Sequence, residues 1–224
     1  VSLNGPWEIA DGVAAEAIPE TFTHTVPVPG LANLATPGFE RVDAFYSREQ
    51  LANRIRSQLS PKEWLTEYAN GKVDQDRNYF WYRKVFRAPE KRQVALLKIN
   101  KAQFGTAVWL NGKKLGEYAG CFSASYFHLE DTIRWKAENT LVVRIGAHPA
   151  VLPDTYPTGS DFEKIKWTPG IYDSVSLMCC DNPLIETMDR PYDVKAVFDI
   201  KLYNITATAG TNGTIAPTGV NQVV

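Results

Sequence analysis

From Asn78 to Leu177 the chain is a succession of short apolar-rich runs with turn residues between them, the pattern of half-buried strands rather than helices. The predicted strands are Tyr82 to Phe86, Val94 to Ile99, Thr106 to Leu110, Lys114 to Tyr118, Ser125 to Leu129, Thr140 to Ile145 and Ser174 to Met178. Several short strands at this spacing predict a sandwich or jelly roll in place of βαβ units. The sharpest local signal is Asn111-Gly112, because a type I′ hairpin turn needs positive φ at both central residues. This hairpin carries Trp109 and Tyr118 and leads into an aromatic, serine-containing strand from Cys121 to Leu129. Two readings of Trp109 stay open. A strand beside a tight turn must bury one face, which makes it core; with Tyr118 it would instead form a surface platform.

The flanks read differently. Residues 1 to 10 predict an edge strand with Trp7 and Ile9 on one face, and Ile18 to Gly38, which contains Val26-Pro-Val-Pro-Gly30, predicts extended chain with turns. Ser47-Arg-Glu-Gln50 has the form of a capping box, followed by Leu51, Ile55 and Leu59 on one helical face. Ser60-Pro-Lys-Glu63 repeats the signal and Gly71 supplies a stop, so residues 47 to 71 predict two short inserted helices, either a surface elaboration or a lid. Ala147 to Lys166 predicts a long ordered loop. Beyond Arg190, Phe198 to Leu202 alternates cleanly, but the rest is polar and poorly patterned. These boundaries give a main domain at 1–190 and an incomplete second β segment at 191–224, whose strands would pair with the main sandwich, pair with another chain, or fray.

Composition narrows the function classes. Among 224 residues, 24 Lys and Arg against 25 Asp and Glu leave a formal net charge of -1, which gives no electrostatic footprint for nucleic acid or an anionic membrane. Ten Phe, 10 Tyr and 6 Trp supply enough bulk for a sandwich core. No apolar run reaches the roughly 18 residues of a membrane span. Cys121, Cys179 and Cys180 do not make a disulfide framework, and free thiols acting as small hydrophobes are expected. No spacing resembles a zinc site and no phosphate or dinucleotide loop is present, so neither metal nor cofactor is expected. The start at Val1 in place of Met reads as a processed or trimmed product, with a periplasmic or extracellular location as the expectation.

Five motifs in a fixed order add a resemblance. They are Leu3-Asn-Gly-Pro-Trp-Glu-Ile9, Tyr82-Arg-Lys-Val-Phe-Arg-Ala-Pro89, the Val108 to Gly120 hairpin, Asn139-Thr-Leu-Val-Val-Arg-Ile145 and Trp167-Thr-Pro-Gly-Ile-Tyr-Asp-Ser-Val-Ser-Leu177. Residues 1 to 190 resemble the N-terminal sugar-binding domain of glycoside hydrolase family 2, which includes β-galactosidases, β-glucuronidases and β-mannosidases. The resemblance implies an all-β, galactose-binding-like jelly-roll sandwich with a small helical insertion. It also implies partnership with a (β/α)8 barrel and an immunoglobulin-like domain, a β-linked carbohydrate as the molecule handled, and no catalytic residue in this chain. The family's two carboxylates sit on the barrel, and the Asn-Glu dipeptide of its acid/base is missing here. The parent would be a retaining glycosidase. Rival readings are an independent carbohydrate-binding module and a purely structural domain.

Candidate sugar contacts follow from chemistry and from the resemblance. A pyranose has an apolar face for an aromatic ring and a rim of hydroxyls for planar polar groups. The loop Asp154 to Trp167 offers Asp154, Tyr156, Asp161, Glu163 and Trp167. Family members send an acidic residue from the corresponding loop toward the sugar, which Asp161 or Glu163 would match, and an Asn from before the Tyr-Arg strand, which Asn78 would match. Gly-Ile is often followed in the family by Trp-Arg; here it is followed by Tyr172-Asp173. His128 is expected as a partly buried, hydrogen-bonded imidazole, and His148-Pro149 stands at a loop entry, where exposure to solvent is one open reading.

Overall fold

Alternation of inward and outward side chains along each strand builds two antiparallel sheets that share one core. The structure, a computed structural model, describes residues 1–40, 42, 55–59, 61–63, 77–153, 155–156, 168–181, 203–206 and 220–223. By its internal contacts the chain divides into Val1–Leu184 and Ile185–Val224. In chain order the strands of the first unit are β1 (Gly5–Gly12), β2 (His24–Val28), β3 (Gly30–Leu31), β4 (Tyr79–Arg87), β5 (Val94–Ile99), β6 (Thr106–Leu110), β7 (Lys113–Tyr118), β8 (Ser125–His128), β9 (Glu138–Gly146), β10 (Gly170–Ile171) and β11 (Val175–Cys180). The larger sheet runs β2-β1-β4-β9-β6-β7, the smaller β11-β5-β8, and β10 pairs with β3. Described residues of the second unit include a two-stranded antiparallel ladder, β12 (Tyr203–Thr206) with β13 (Val220–Val223). The alternating run at 198–202 lies outside the described residues.

The core lies between the sheets. Trp7, Ile9, Phe80, Tyr82, Val108 and Val143 from the larger sheet form one cluster with Leu97, Ile99, Phe127, Val175 and Leu177 from the smaller. Each such side chain, fully buried, contributes ~1.5–3 kcal/mol, whereas an exposed ion pair contributes ~0–1. Apolar packing therefore sets this fold, and surface charges adjust it. The result is an all-β sandwich, as the strand pattern predicts.

The hairpin forms as its sequence dictates. Asn111 and Gly112 have φ of 52° and 85°, and Leu110 pairs directly with Lys113 across the two-residue turn. The Asn111 side chain does more than tolerate the turn. Its Oδ1 accepts the Thr140 N–H at 3.0 Å, and its Nδ2 donates to Asn139 Oδ1 at 2.9 Å and to the Thr132 carbonyl at 3.0 Å. The turn is thus fastened to β9 and to the 129–139 connection.

The Leu-Asn-Gly-Pro-Trp segment carries the chain between sheets. Leu3 N–H donates to Val175 O at 2.9 Å and Leu177 N–H to Val1 O at 2.8 Å, so the first residues lie along β11 before the chain enters the larger sheet as β1. Asn4 Oδ1 accepts the Val175 N–H at 2.9 Å, and Trp7 Nε1 donates back to Leu3 O at 2.8 Å. One expectation is corrected here. Residues 5–12 are not an edge strand, because β2 pairs along β1 on one side and β4 on the other. Part of the proline-rich segment becomes that edge instead, a position where a residue without an N–H is tolerated, as Pro27 illustrates.

The Val-Pro-Gly and Pro-Gly-Ile motifs meet each other. Gly170 pairs with Leu31 and Ile171 with Gly30, and Gly170 also exchanges both backbone hydrogen bonds with Gln103, at 2.9 and 3.0 Å. Gly170–Ile171 is therefore a short strand held on both sides. Of the helical insertion expected at 47–71, Ile55 and Arg56 are helical and Gln58 N–H closes a turn on Ile55 O at 3.0 Å. Ser47 to Leu51, Ser60 and Gly71 lie outside the described residues.

His128 departs from its expectation. Along β8, Ser125 and Phe127 point inward, which turns Tyr126 and His128 out, and the His128 side chain is 80 % exposed beside Glu130. All three cysteines are free thiols; Cys121 is buried against Phe104, and Cys179 and Cys180 are half-buried on β11.

Candidate functional site

One end of the larger sheet, where β4 and β6 begin and β7 and β9 finish, holds a cavity of about 330 Å3. Its floor includes Phe104, which packs with Cys121, Val151 and Leu152 in a small apolar cluster separate from the main core. Close approach of the chain shapes this floor. A Cβ on Gly146 would lie 2.2 Å from the Val151 side chain and 2.8 Å from the Phe104 carbonyl, so the 147–152 loop folds back only over a glycine. Pro149–Val151 forms a single 3-10 turn there.

Alternation along β9 explains the polar wall. Leu141, Val143 and Ile145 face the core, so Val142 and Arg144 face outward. On that outer face Trp81, Ala107, Trp109 and Val142 form a second apolar cluster, covered by Ile18 and Phe22 from the connection between β1 and β2. Trp109 is buried in this cluster and its ring lies 5.2 Å from that of Trp81. It is core, though not the core between the sheets, and it offers no surface platform.

Arg144 links this covering segment to the cavity. Its guanidinium donates to the Ala15 carbonyl, to Glu16 at 3.3 Å and to Glu117 at 3.2 Å, and it lies 4.5 Å from the centre of the Tyr79 ring. Lys114 Nζ reaches both carboxylates at 2.7 Å. Lys114 first, with Arg144 helping, holds the Glu117 carboxyl below the usual carboxylate range, and Glu117 and Glu16 push the Lys114 ammonium up. Two cations thus face two carboxylates.

The sequence-derived site residues fare unevenly. Asn78 lies beside the cavity-lining Tyr79, donating from Nδ2 to Val13 O at 3.2 Å, while its Oδ1 is 3.3 Å from His148 Nε2. His148 is buried, and that burial pulls its pKa down to about 4 and keeps the ring neutral. Tyr156 sits on the cavity rim, 43 % exposed. Asp154, Asp161, Glu163 and Trp167 lie outside the described residues. Sequence reasoning did not single out Arg144, Glu117 and Tyr79. The available signal was a charge inside the apolar run Leu-Val-Val-Arg-Ile.

The described lining of the cavity does not present the carboxyl pair of a glycosidase. A retaining glycosidase needs two carboxyl groups about 5–5.5 Å apart, one of them kept protonated by its surroundings. Glu117 is the only carboxylate among the described lining residues, and its environment pushes it toward ionisation. Among the described residues no group of His, Cys, Asp and Glu is placed to hold a metal ion.

Residues 50–149 match the family model described as β-galactosidase second all-beta domain. A β-glucuronidase of Bacteroides fragilis is 29 % identical over 132 residues, covering 58 % of this chain and 18 % of that protein. A β-D-mannosidase from Dictyoglomus thermophilum superposes with a TM-score of 0.50 at 22 % identity, covering 81 % of this chain and 22 % of the mannosidase. A glycosyl hydrolase family 2 member from Bacteroides cellulosilyticus superposes with a TM-score of 0.52 at 16 % identity, covering 81 % and 20 %. These structures share the fold. Together the matches support a domain of the kind found in glycoside hydrolase family 2, and the chain spans about a fifth of the length of these relatives.

Proposed function

We propose that this chain is the noncatalytic, galactose-binding-like jelly-roll domain from the N-terminal part of a family 2 glycoside hydrolase acting on β-linked glycans. The observation that carries this reading is the charge state of the cavity. Its one described carboxylate is paired with Lys114 and Arg144, so the described lining holds no protonated acid to assist a leaving group. The motif order and the relatives' names support the family. The domain's work would be to buttress a (β/α)8 barrel and an immunoglobulin-like neighbour and to present the 147–167 loop near the substrate. Remote contacts of this kind raise the rate of a reaction carried out elsewhere by positioning the substrate. Asp161, Glu163 and Trp167 are the residues proposed to meet the sugar from that loop, and Asn78 the one proposed from the start of β4.

The test is to incubate the chain with 4-nitrophenyl β-glucuronide, β-galactoside and β-mannoside. No release of nitrophenol is expected. Turnover that follows the purified chain and disappears in Glu117→Gln would overturn the noncatalytic reading.

A further inference from the structure

The cavity at the end of the larger sheet has features that the supporting role does not require. Its volume of about 330 Å3 stands at the small end of ligand pockets, which run about 300–1,000 Å3, so it suits one ring rather than an oligosaccharide chain. Tyr156 offers a half-exposed aromatic surface at the rim, the usual counterpart of a pyranose C–H face. Glu117 takes both of its described hydrogen bonds on Oε1, from Lys114 and from Arg144. No described residue donates to its Oε2, which remains an acceptor for a hydroxyl. Thr106 also lines the cavity, and its hydroxyl donates to Tyr118 O at 3.3 Å, leaving oxygen lone pairs as acceptors.

Charge then selects among sugars. Arg144 and Lys114 are the cations beside the cavity, and each is shared between Glu16 and Glu117. Among the described residues a uronate carboxylate entering here would find no uncommitted cation, and it would stand near the ionised Glu117, where like charges in close quarters disfavour each other. A neutral hexose meets no such obstacle.

We propose that this cavity is a binding site for a single neutral pyranose unit, with Tyr156 as its stacking surface and Glu117 as its hydroxyl acceptor, and that it discriminates against uronic acids. This rests on the reading of the chain as a sugar-handling domain and deepens it by naming the sugar class.

Titration calorimetry of the whole chain with methyl β-galactoside, β-glucoside, β-mannoside and β-glucuronide tests it. At least one neutral glycoside should bind saturably, and the glucuronide at least tenfold more weakly. Tyr156→Ala, at an exposed position that leaves the melting temperature unchanged, should weaken the neutral sugar at least tenfold. Glu117→Gln should weaken the neutral sugar as well and at the same time narrow or reverse the preference against the glucuronide, because it releases part of Arg144 and Lys114. A purely structural residue would not produce that reversal. Absence of saturable binding by any neutral glycoside, glucuronide binding as tight as the neutral sugar, or binding unmoved by both variants would each overturn the proposal. Failure here leaves the noncatalytic reading intact, whereas hydrolysis of nitrophenyl glycosides overturns that reading and not this site.

Discussion

Gly170→Ala tests a close approach of two strands, β10 and β3. A Cβ at this position would lie 2.5 Å from Leu31 Cα and 2.6 Å from the Gly30 carbonyl oxygen, both backbone atoms of β3. Neither can swing away as the tip of a side chain would. On the other side Gly170 exchanges hydrogen bonds with Gln103 at 2.9 and 3.0 Å, so β10 cannot back off without loosening that pair. Overpacking a close contact costs about 1–3 kcal/mol, and a clash of backbone with backbone falls in the upper half of that range. For a chain of this size about 2–3 kcal/mol lowers Tm by roughly 5–10 °C. Gly38→Ala is the control, since a Cβ there meets nothing nearer than Ala35 O at 3.9 Å and should change stability by less than about 0.5 kcal/mol. Urea unfolding of the parent and both variants reads the difference. A Gly170→Ala protein within about 0.5 kcal/mol of the parent would refute the close-approach account of the Pro-Gly-Ile motif.

Other residues give sharper tests of particular links. Trp109→Ala should cost about 3–5 kcal/mol, as truncation of a buried tryptophan does, and should speed proteolysis around Ile18 to Phe22, which pack on that cluster; a loss under about 1 kcal/mol would return Trp109 to the surface. Burial lowers the His148 pKa from 6.5 to about 4, so the unfolded chain binds the proton first as pH falls. Stability should therefore decline from about pH 6.5 toward pH 4 by up to about 3 kcal/mol through this group, and His148→Gln should lose that part of the slope in urea titrations at pH 4.5 and 7. Cys121 is 1 % exposed and burial pushes its thiol up, so a thiol reagent should label Cys180 and Cys179 well before it; simultaneous labelling of all three in the native protein would contradict the packing against Phe104.

Legibility followed the range of the interactions. The strand runs of the 78–178 region and the Asn-Gly turn read directly from sequence, because a period of two and a positive-φ dipeptide act within a few residues. His128 was misread because its environment depends on which face of β8 turns inward, and Phe127 decided that. His148 stands at a loop entry in the sequence, and only the tertiary packing shows it buried. β1 was taken for an edge because its second neighbour comes from a proline-rich segment whose strand character shows only in the pairing of His24–Val28. Of the candidate sugar contacts, Asn78 and Tyr156 fall beside or on the cavity, while its charged wall was not foreseen.

By itself the sequence determined an all-β chain, the positions of most of its strands and the turn of its hairpin, since apolar alternation and turn chemistry are local. Tertiary structure alone decided that Ala15, Glu16, Tyr79, Glu117, Arg144 and Tyr156 would converge on one end of a sheet. That convergence is set by strand order and by a loop folding over Gly146, and no periodicity within a single strand encodes either.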